Sequence, residues 1–299
     1  MTINIAIVPV AGLGTSVLPL TKSQPKEMLA VGRKPVVQYV VEELASNGIE
    51  RILFITSQGK SSIAAHFDID ENLIDYLRET GRETNLSELA FERQNIEYFY
   101  TRQRHQLGLG HAVLCAEPLV GKEPAVVALG DSILGRHASS SIVSRMIDAY
   151  ETEKADAVIA LEPVDLTDVD QYGIAAVKDP SRDVLQITGA IEKPATTEAP
   201  SNLSIAARYV VSPAIYGALK NTPTDRNGNL QLTDAIANLI SQDAKVIGIK
   251  LPPDVKRYDI GNFDSYFKTF LEFTFTDPEF GVEMQSYVRD YLAQQTEQQ

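Results

Sequence analysis

Cysteine occurs once, at Cys115, so the chain has no partner for an internal disulfide and no ligands for a cysteine-built zinc site. Basic residues are scarce as well. The 27 Lys and Arg face 40 Asp and Glu, a formal net charge of −13. That balance removes the broad basic face a nucleic-acid binder needs to neutralise phosphates. No apolar run approaches the roughly 18 residues of a membrane span. The N-terminus has no basic region leading into an apolar signal core, so a soluble, cytoplasmic protein without membrane contact is expected. Internal repeats, low-complexity linkers and a clear second domain boundary are also missing. What is plentiful is apolar content, 44% of 299 residues, enough for a large core. One domain over 1–299 is expected.

The stretch Ile5 to Pro35 is the richest in signals. Ile5 to Val10 is an apolar run long enough for one buried parallel strand. It breaks into Ala11-Gly12-Leu13-Gly14-Thr15-Ser16, where glycines free the backbone and leave room for a ligand. Lys22, Lys26 and Lys34 follow in an otherwise acidic protein. Exposed N–H groups and fixed cations at a strand end suit a nucleoside triphosphate. The loop is neither GxxxxGK[ST] nor a complete dinucleotide fingerprint, because the third glycine is missing. On glycine spacing alone, a turn shaped only for geometry remains an equal reading.

Further strand-like runs are Arg51–Thr56, Ile96–Tyr100, Ala125–Leu129, Ala157–Leu161, Ile174–Lys178 and Val246–Leu251. Between them, Val36 to Asn47 puts Val37, Val40, Val41 and Leu44 on one helical face and stops at Gly48. Ser61–Phe67, Gly110–Glu117 and Ser139–Thr152 also read as helices. Strict alternation up to about residue 135 implies parallel strands with right-handed crossovers. The second half, with closer strands, implies hairpins and a mixed sheet. Residues 68–94 read as a helical insertion, over the site, at a subunit contact or on the surface. Residues 263–299 read as a helical extension whose Tyr266, Phe267, Phe270 and Phe273 serve a core or an oligomer contact, ending in a polar tail. An apolar strand running into Gly130-Asp131 sets a carboxylate where open α/β sheets bind ligands.

The order GLGT, LP, PKEML, KP and QYVV between Gly12 and Val41 resembles the sugar-1-phosphate nucleotidyltransferases, and among them the bacterial UTP–glucose-1-phosphate uridylyltransferases. The resemblance runs to about Phe270. It implies an α/β, Rossmann-like nucleotidyltransferase fold with a central mixed, mostly parallel sheet flanked by helices. The implied reaction joins UTP and glucose 1-phosphate into UDP-glucose and pyrophosphate. Ala11 to Ser16, Gln103 and Gly108 are then nucleotide-binding, with Gln103 offering one donor and one acceptor to the uracil imide edge. Gly108 and Gly110 would let the base approach the backbone. Asp131 and Asp259 are the implied Mg²⁺ ligands, and two carboxylates suffice for that ion. Gly173, Glu192, Lys193 and Asn202 form the implied sugar-phosphate half, and Lys26 and Lys193 offset charge during catalysis. Gln231-Leu232-Thr233-Asp234-Ala235 reads as a helix start, with Thr233 or Asp234 near its cap. His111, beside glycines at a helix start, reads as structural, because the attacking phosphate oxygen is already ionised and needs no base. A homodimer or homotetramer is implied.

Two positions depart from the family pattern. Ser16 stands where an arginine is usual, and Asn229 where a glutamate is usual at the sugar end. An arginine fork holds phosphate bidentately, and a serine offers one neutral donor. Lys22 or Lys34 is the available substitute. The departure keeps a second reading open: a weakly active or non-catalytic paralogue that binds nucleotide or sugar nucleotide and modulates an active partner.

Overall fold

The computed structural model describes residues 3–136 and 140–297. Strands β1 (Ile5–Pro9), β2 (Ala30–Val31), β3 (Lys34–Pro35), β4 (Arg51–Thr56), β5 (Glu97–Arg102), β6 (Ala125–Ala128) and β7 (Ser132–Leu134) come first in the chain. They are followed by β8 (Ala157–Pro163), β9 (Gly173–Val177), β10 (Val184–Glu192), β11 (Leu203–Val211), β12 (Val246–Lys250) and β13 (Arg257–Asp259). Nine of them build one sheet in the order β5-β4-β1-β6-β11-β8-β12-β10-β9. The expected parallel pairing holds for β5, β4, β1 and β6. Beyond β6 the pairing is mixed: β11 runs against both β6 and β8 and β10 against β12 and β9, while β8 and β12 pair in parallel.

Strand periodicity divides the core. Ile5 and Ile7 of β1 enter one buried cluster, and Ala6, Val8 and Val10 enter the other. The helices α1 (Val36–Ser46), α2 (Ser61–Phe67) and α3 (Glu71–Glu79) come early in the chain, then α4 (Leu109–Leu114), α5 (Glu117–Val120) and α6 (Ile142–Glu153). On one face of the sheet, α1 inserts Val37, Val40, Val41 and Leu44, with α2 and α6 beside it. On the other lie α4, α5, α7 (Ala214–Asn221) and α8 (Leu232–Ser241). The result is three layers, helices on a sheet on helices. Helix α1 stops as its spacing predicts, at Asn47, with Gly48 left-handed after it. A third, smaller core gathers Val31, Tyr39, Ile133, Tyr258 and Phe273 under α9 (Phe263–Phe275), which leads into α10 (Gly281–Glu297). Of the aromatic stripe, Phe273 is buried there, Tyr266 packs at its edge, and Phe267 and Phe270 face outward.

Several expectations shift. The helix expected from Ser139 begins at Ile142, and Ser139 itself lies outside the described residues, as do the last two residues of the tail. The 68–94 insertion splits into α3 and 3-10 turns over Glu83–Arg93. It packs through Phe91 onto His66 and Phe67 of α2, and none of its residues lines either cleft described below. Among the described residues no helix is long and apolar enough to cross a membrane.

The strand order fixes where a ligand belongs. The chain lays β4 and β5 on one side of β1, then crosses back to set β6 on the other. Loops leaving the C-terminal ends of β1 and β6 diverge, and a crevice opens between them.

Candidate active site

The first wall of the crevice is the loop after β1. Gly14 takes a left-handed conformation, φ +68°, which an L side chain adopts only with strain, and Thr21 Oγ1 donates to its carbonyl at 2.7 Å. The loop bounds a cleft of about 490 Å³ lined by Ala11, Gly12, Leu13, Gly14 and Thr15. Lys26, Gln103, Gly108, Asp131 and Asn229 complete its walls. A second cleft of about 180 Å³ holds Tyr172, Gly173, Glu192, Thr233, Arg257 and Asp259. The two clefts share Leu109, Leu129 and Asp131. Asp131 therefore stands at the seam between two binding volumes.

The acid pair is assembled by register. β13 runs antiparallel to β7 and sets Asp259 opposite Ser132, the neighbour of Asp131. Lys26, on a single 3-10 turn, forms an ion pair with Asp131. Burial alone would push the Asp131 carboxyl up, but the Lys26 charge and hydrogen bond, together with a backbone N–H and Lys60, hold the group below the usual carboxylate range. Asp259 is pushed the other way by burial and by the Asp131 charge. Lys26 is raised above the ordinary lysine value, chiefly by Asp131, with help from Glu27 and Asp259. The seam thus carries a firmly protonated ammonium beside an ionised carboxylate. Behind it, Lys60 and Glu27 make a buried pair at 2.7 Å that fixes the turn carrying Lys26.

Gln103 differs from the sequence reading in an informative way. Its Nε2 donates to the Gly108 carbonyl at 3.0 Å and lies 3.0 Å from His111 Nδ1. A carbonyl only accepts, so the amide nitrogen must face inward and Oε1 must face the cleft. Gln103 therefore presents an acceptor, not a donor and an acceptor. His111 is structural, as expected: it anchors this amide. Burial, with His105 nearby, lowers its pKa, which favours the neutral ring that accepts at Nδ1. Gly108 (φ +93°) is required by the packing itself, because a Cβ there would come within 2.5 Å of the Leu230 carbonyl. Gly110 is likewise filled by Leu219 and Leu230 and lines neither cleft.

On the other side, Thr233 Oγ1 donates to Glu192 Oε2 at 2.6 Å, leaving Oε1 for the cleft. The helix start expected here is found, with Gln231 at the N-cap of α8 and Thr233 two residues on; no side chain makes a capping bond, and the Thr233 hydroxyl orients Glu192 instead. A Cβ on Gly173 would strike Thr233 Oγ1 at 2.8 Å, so glycine is required by this bond. Arg257, which the sequence left without a role, lies with Cζ 4.2 Å from the Tyr172 ring centroid and pairs with Glu162. Its signal was its place two residues before Asp259 in a strand too short to announce itself.

Some expected residues are not brought in. Ser16 lines neither cleft; its hydroxyl donates to the Gly261 carbonyl, tying the glycine loop to the segment after Asp259. Lys193 lines neither, because the chain leaves β10 there through a left-handed turn, φ +46°, while its N–H donates to Tyr172 O at 3.0 Å. Asn202 Nδ2 is spent on Val164 O at 3.2 Å. Lys34 is committed to Glu42 at 2.8 Å. Asn229 belongs to the larger cleft and not to the sugar end, since Leu230 N donates to Leu107 O at 2.7 Å and holds that loop beside Gly108.

A glycine loop and an acid pair at the switch point of a doubly wound sheet, opening onto a second polar cleft, define a nucleotide-handling transferase. The chain belongs to the nucleotidyl transferase family, whose model matches residues 5–274. It is 38% identical over 293 residues to the UTP–glucose-1-phosphate uridylyltransferase YngB of Bacillus subtilis, covering 98% of this chain and 97% of that one. It is 36% identical over 289 residues to UTP–glucose-1-phosphate uridylyltransferase 1 of Staphylococcus saprophyticus, covering 97% and 99%. A UTP-bound UGPase from Acinetobacter baumannii superposes with a TM-score of 0.87 at 36% identity, covering 96% and 98%. A UDP-glucose pyrophosphorylase complexed with UDP-glucose gives 0.80 at 32%, covering 91% and 98%.

Proposed function

We propose that the protein transfers the uridylyl group of UTP to glucose 1-phosphate, releasing pyrophosphate and UDP-glucose. The observation that carries this reading is the seam: two clefts, one built for a nucleotide and one for a polar ligand, meeting at Asp131. The names of relatives alike over nearly the whole chain support the choice of substrates.

In this reading the glycine loop takes the triphosphate, and Gln103 Oε1 accepts the N3–H that uracil and thymine share and cytosine lacks. Glu192 Oε1 accepts from hexose hydroxyls. An ionised sugar-phosphate oxygen attacks the α-phosphorus; that P–O bond forms as the bond to the β-phosphate oxygen breaks, and pyrophosphate leaves. Lys26 offsets charge at the seam, where its ion pair keeps it protonated. We assign the matching charge at the sugar end to Arg257, which lines that cleft, in place of Lys193.

The donors at the seam suit a divalent cation. Asp131 and Asp259 offer hard oxygen ligands, and among the described residues no cluster of three or more His, Cys, Asp or Glu could hold a metal ion. Two protein carboxylates with substrate phosphates and waters match Mg²⁺. When bound, Mg²⁺ would supply Lewis-acid polarisation of phosphoryl oxygens.

A nucleotide panel tests the reading. With glucose 1-phosphate and Mg²⁺, UTP should yield UDP-glucose, dTTP should be used to a lesser or similar degree, and CTP should be rejected by about tenfold or more. Equal use of CTP would contradict the role given to Gln103, and no nucleotide sugar from any of the three would contradict the activity.

A further inference from the structure

Arg208 of β11 is the largest of the fully buried side chains among the described residues, at 0% exposure, and it lines neither cleft. Each of its five N–H donors has an acceptor. Nη2 donates to Glu43 Oε2 at 2.6 Å and to Ser132 O at 3.0 Å. Nε reaches Glu43 Oε1 at 3.3 Å. Nη1 reaches Ala207 O at 2.9 Å and Leu129 O at 3.5 Å. Stability alone is a poor explanation, because buried ion pairs are often replaceable by apolar residues of similar volume without loss. Geometry gives a better one. Leu129 and Ser132 bracket Gly130-Asp131, and the turn they close, with Ser132 N donating to Leu129 O at 3.4 Å, carries the seam carboxylate. The Leu129 N–H is itself bound to Ala207 O at 3.1 Å, so the turn is gripped from β11 at both ends.

We propose that Arg208, itself fixed by Glu43 on α1, is a positioning residue that sets the Asp131 carboxylate for divalent-cation binding. The proposal rests on the reading of Asp131 as a metal ligand. The guanidinium is planar with donors in a fixed fork, so it holds three backbone carbonyls and a carboxylate at once, two of the carbonyls being those that bracket Gly130-Asp131; a lysine has the charge without the fork. Groups that orient a metal ligand in this way typically carry a 10–100-fold share of metal affinity.

The test measures Mn²⁺ affinity of the full chain from the free-ion electron paramagnetic resonance signal, with folding checked by circular dichroism. The variants are Asp131→Asn, Arg208→Lys and the double variant Glu43→Met/Arg208→Met, which removes both buried charges together and so avoids an orphaned ion. The expected result is a Mn²⁺ dissociation constant raised about 10–100-fold in the folded double variant and raised in Arg208→Lys. Should the double variant fail to fold, Arg208→Lys alone decides. If Asp131→Asn weakens Mn²⁺ and the folded Arg208 variants bind as the wild type does, the positioning role is overturned and the metal reading stands. If Asp131→Asn itself leaves Mn²⁺ binding unchanged, the metal reading fails and takes the proposal with it.

Discussion

Ser16 is the residue at which chemistry and sequence pattern part company. Its hydroxyl donates to the Gly261 carbonyl, so under the proposed function it offers a triphosphate neither a charge nor a free donor. Of the two lysines that the sequence offered as substitutes, Lys34 is tied to Glu42, and Lys22 is exposed on its turn with no ion pair among the described residues. The loop therefore lacks a committed cation at the leaving-group end. Removing one preorganised anion-stabilising donor commonly lowers kcat by about 10²–10³. Ser16→Arg should recover part of that, raising kcat for pyrophosphate release about tenfold or more. An unchanged kcat would mean that Lys22 already holds the outer phosphates.

At the scale of elements, β11 does the most and was the least visible. It lies fully buried between β6 and β8, it carries Arg208, and its bulge between Ile205 and Tyr209 lines the smaller cleft. Within that bulge Ala207 sits at φ +59°, left-handed without being glycine. A left-handed L-residue is strained by roughly 1–2 kcal/mol. Ala207→Gly should therefore stabilise the fold by about 1 kcal/mol, read as a higher urea midpoint at unchanged m-value. A lower midpoint would show that the packing of the methyl group outweighs the strain. The sequence hid β11 because Arg208 interrupts the apolar run, and the Glu43 that explains it lies 165 residues away on α1. β1, β4, α1 and α2 were legible for the opposite reason: each is a local apolar pattern with turn residues at its ends. β7 and β13 span three residues each, too few for periodicity to register, yet their register is what joins Asp131 to Asp259.

Over the whole molecule, an acidic protein with a net charge of −13 sets two cations, Lys26 and Arg257, each paired with a carboxylate, in the walls of one crevice fixed by strand order. The glycine loop and the strand-end aspartate, each carried by its own contiguous local motif, were legible in the sequence and line the larger cleft. The sugar side was less legible. There the sequence put Lys193 and Asn202, while the fold brings in Arg257 and Thr233 through β13 and α8. Hydrogen bonds between distant elements decide such placements, and no local pattern announces them. The seam at Asp131 is the centre of the proposed chemistry. Its most direct test is the steady-state rate of pyrophosphate release from UTP, glucose 1-phosphate and Mg²⁺ by the wild type beside Asp131→Ala. The wild type should turn over at roughly 1–10³ per second. The variant should fall by about a thousandfold or more, as expected when several kcal/mol of metal-derived charge stabilisation is lost. Equal rates in the two proteins, or no release by the wild type while UTP still binds, would contradict it.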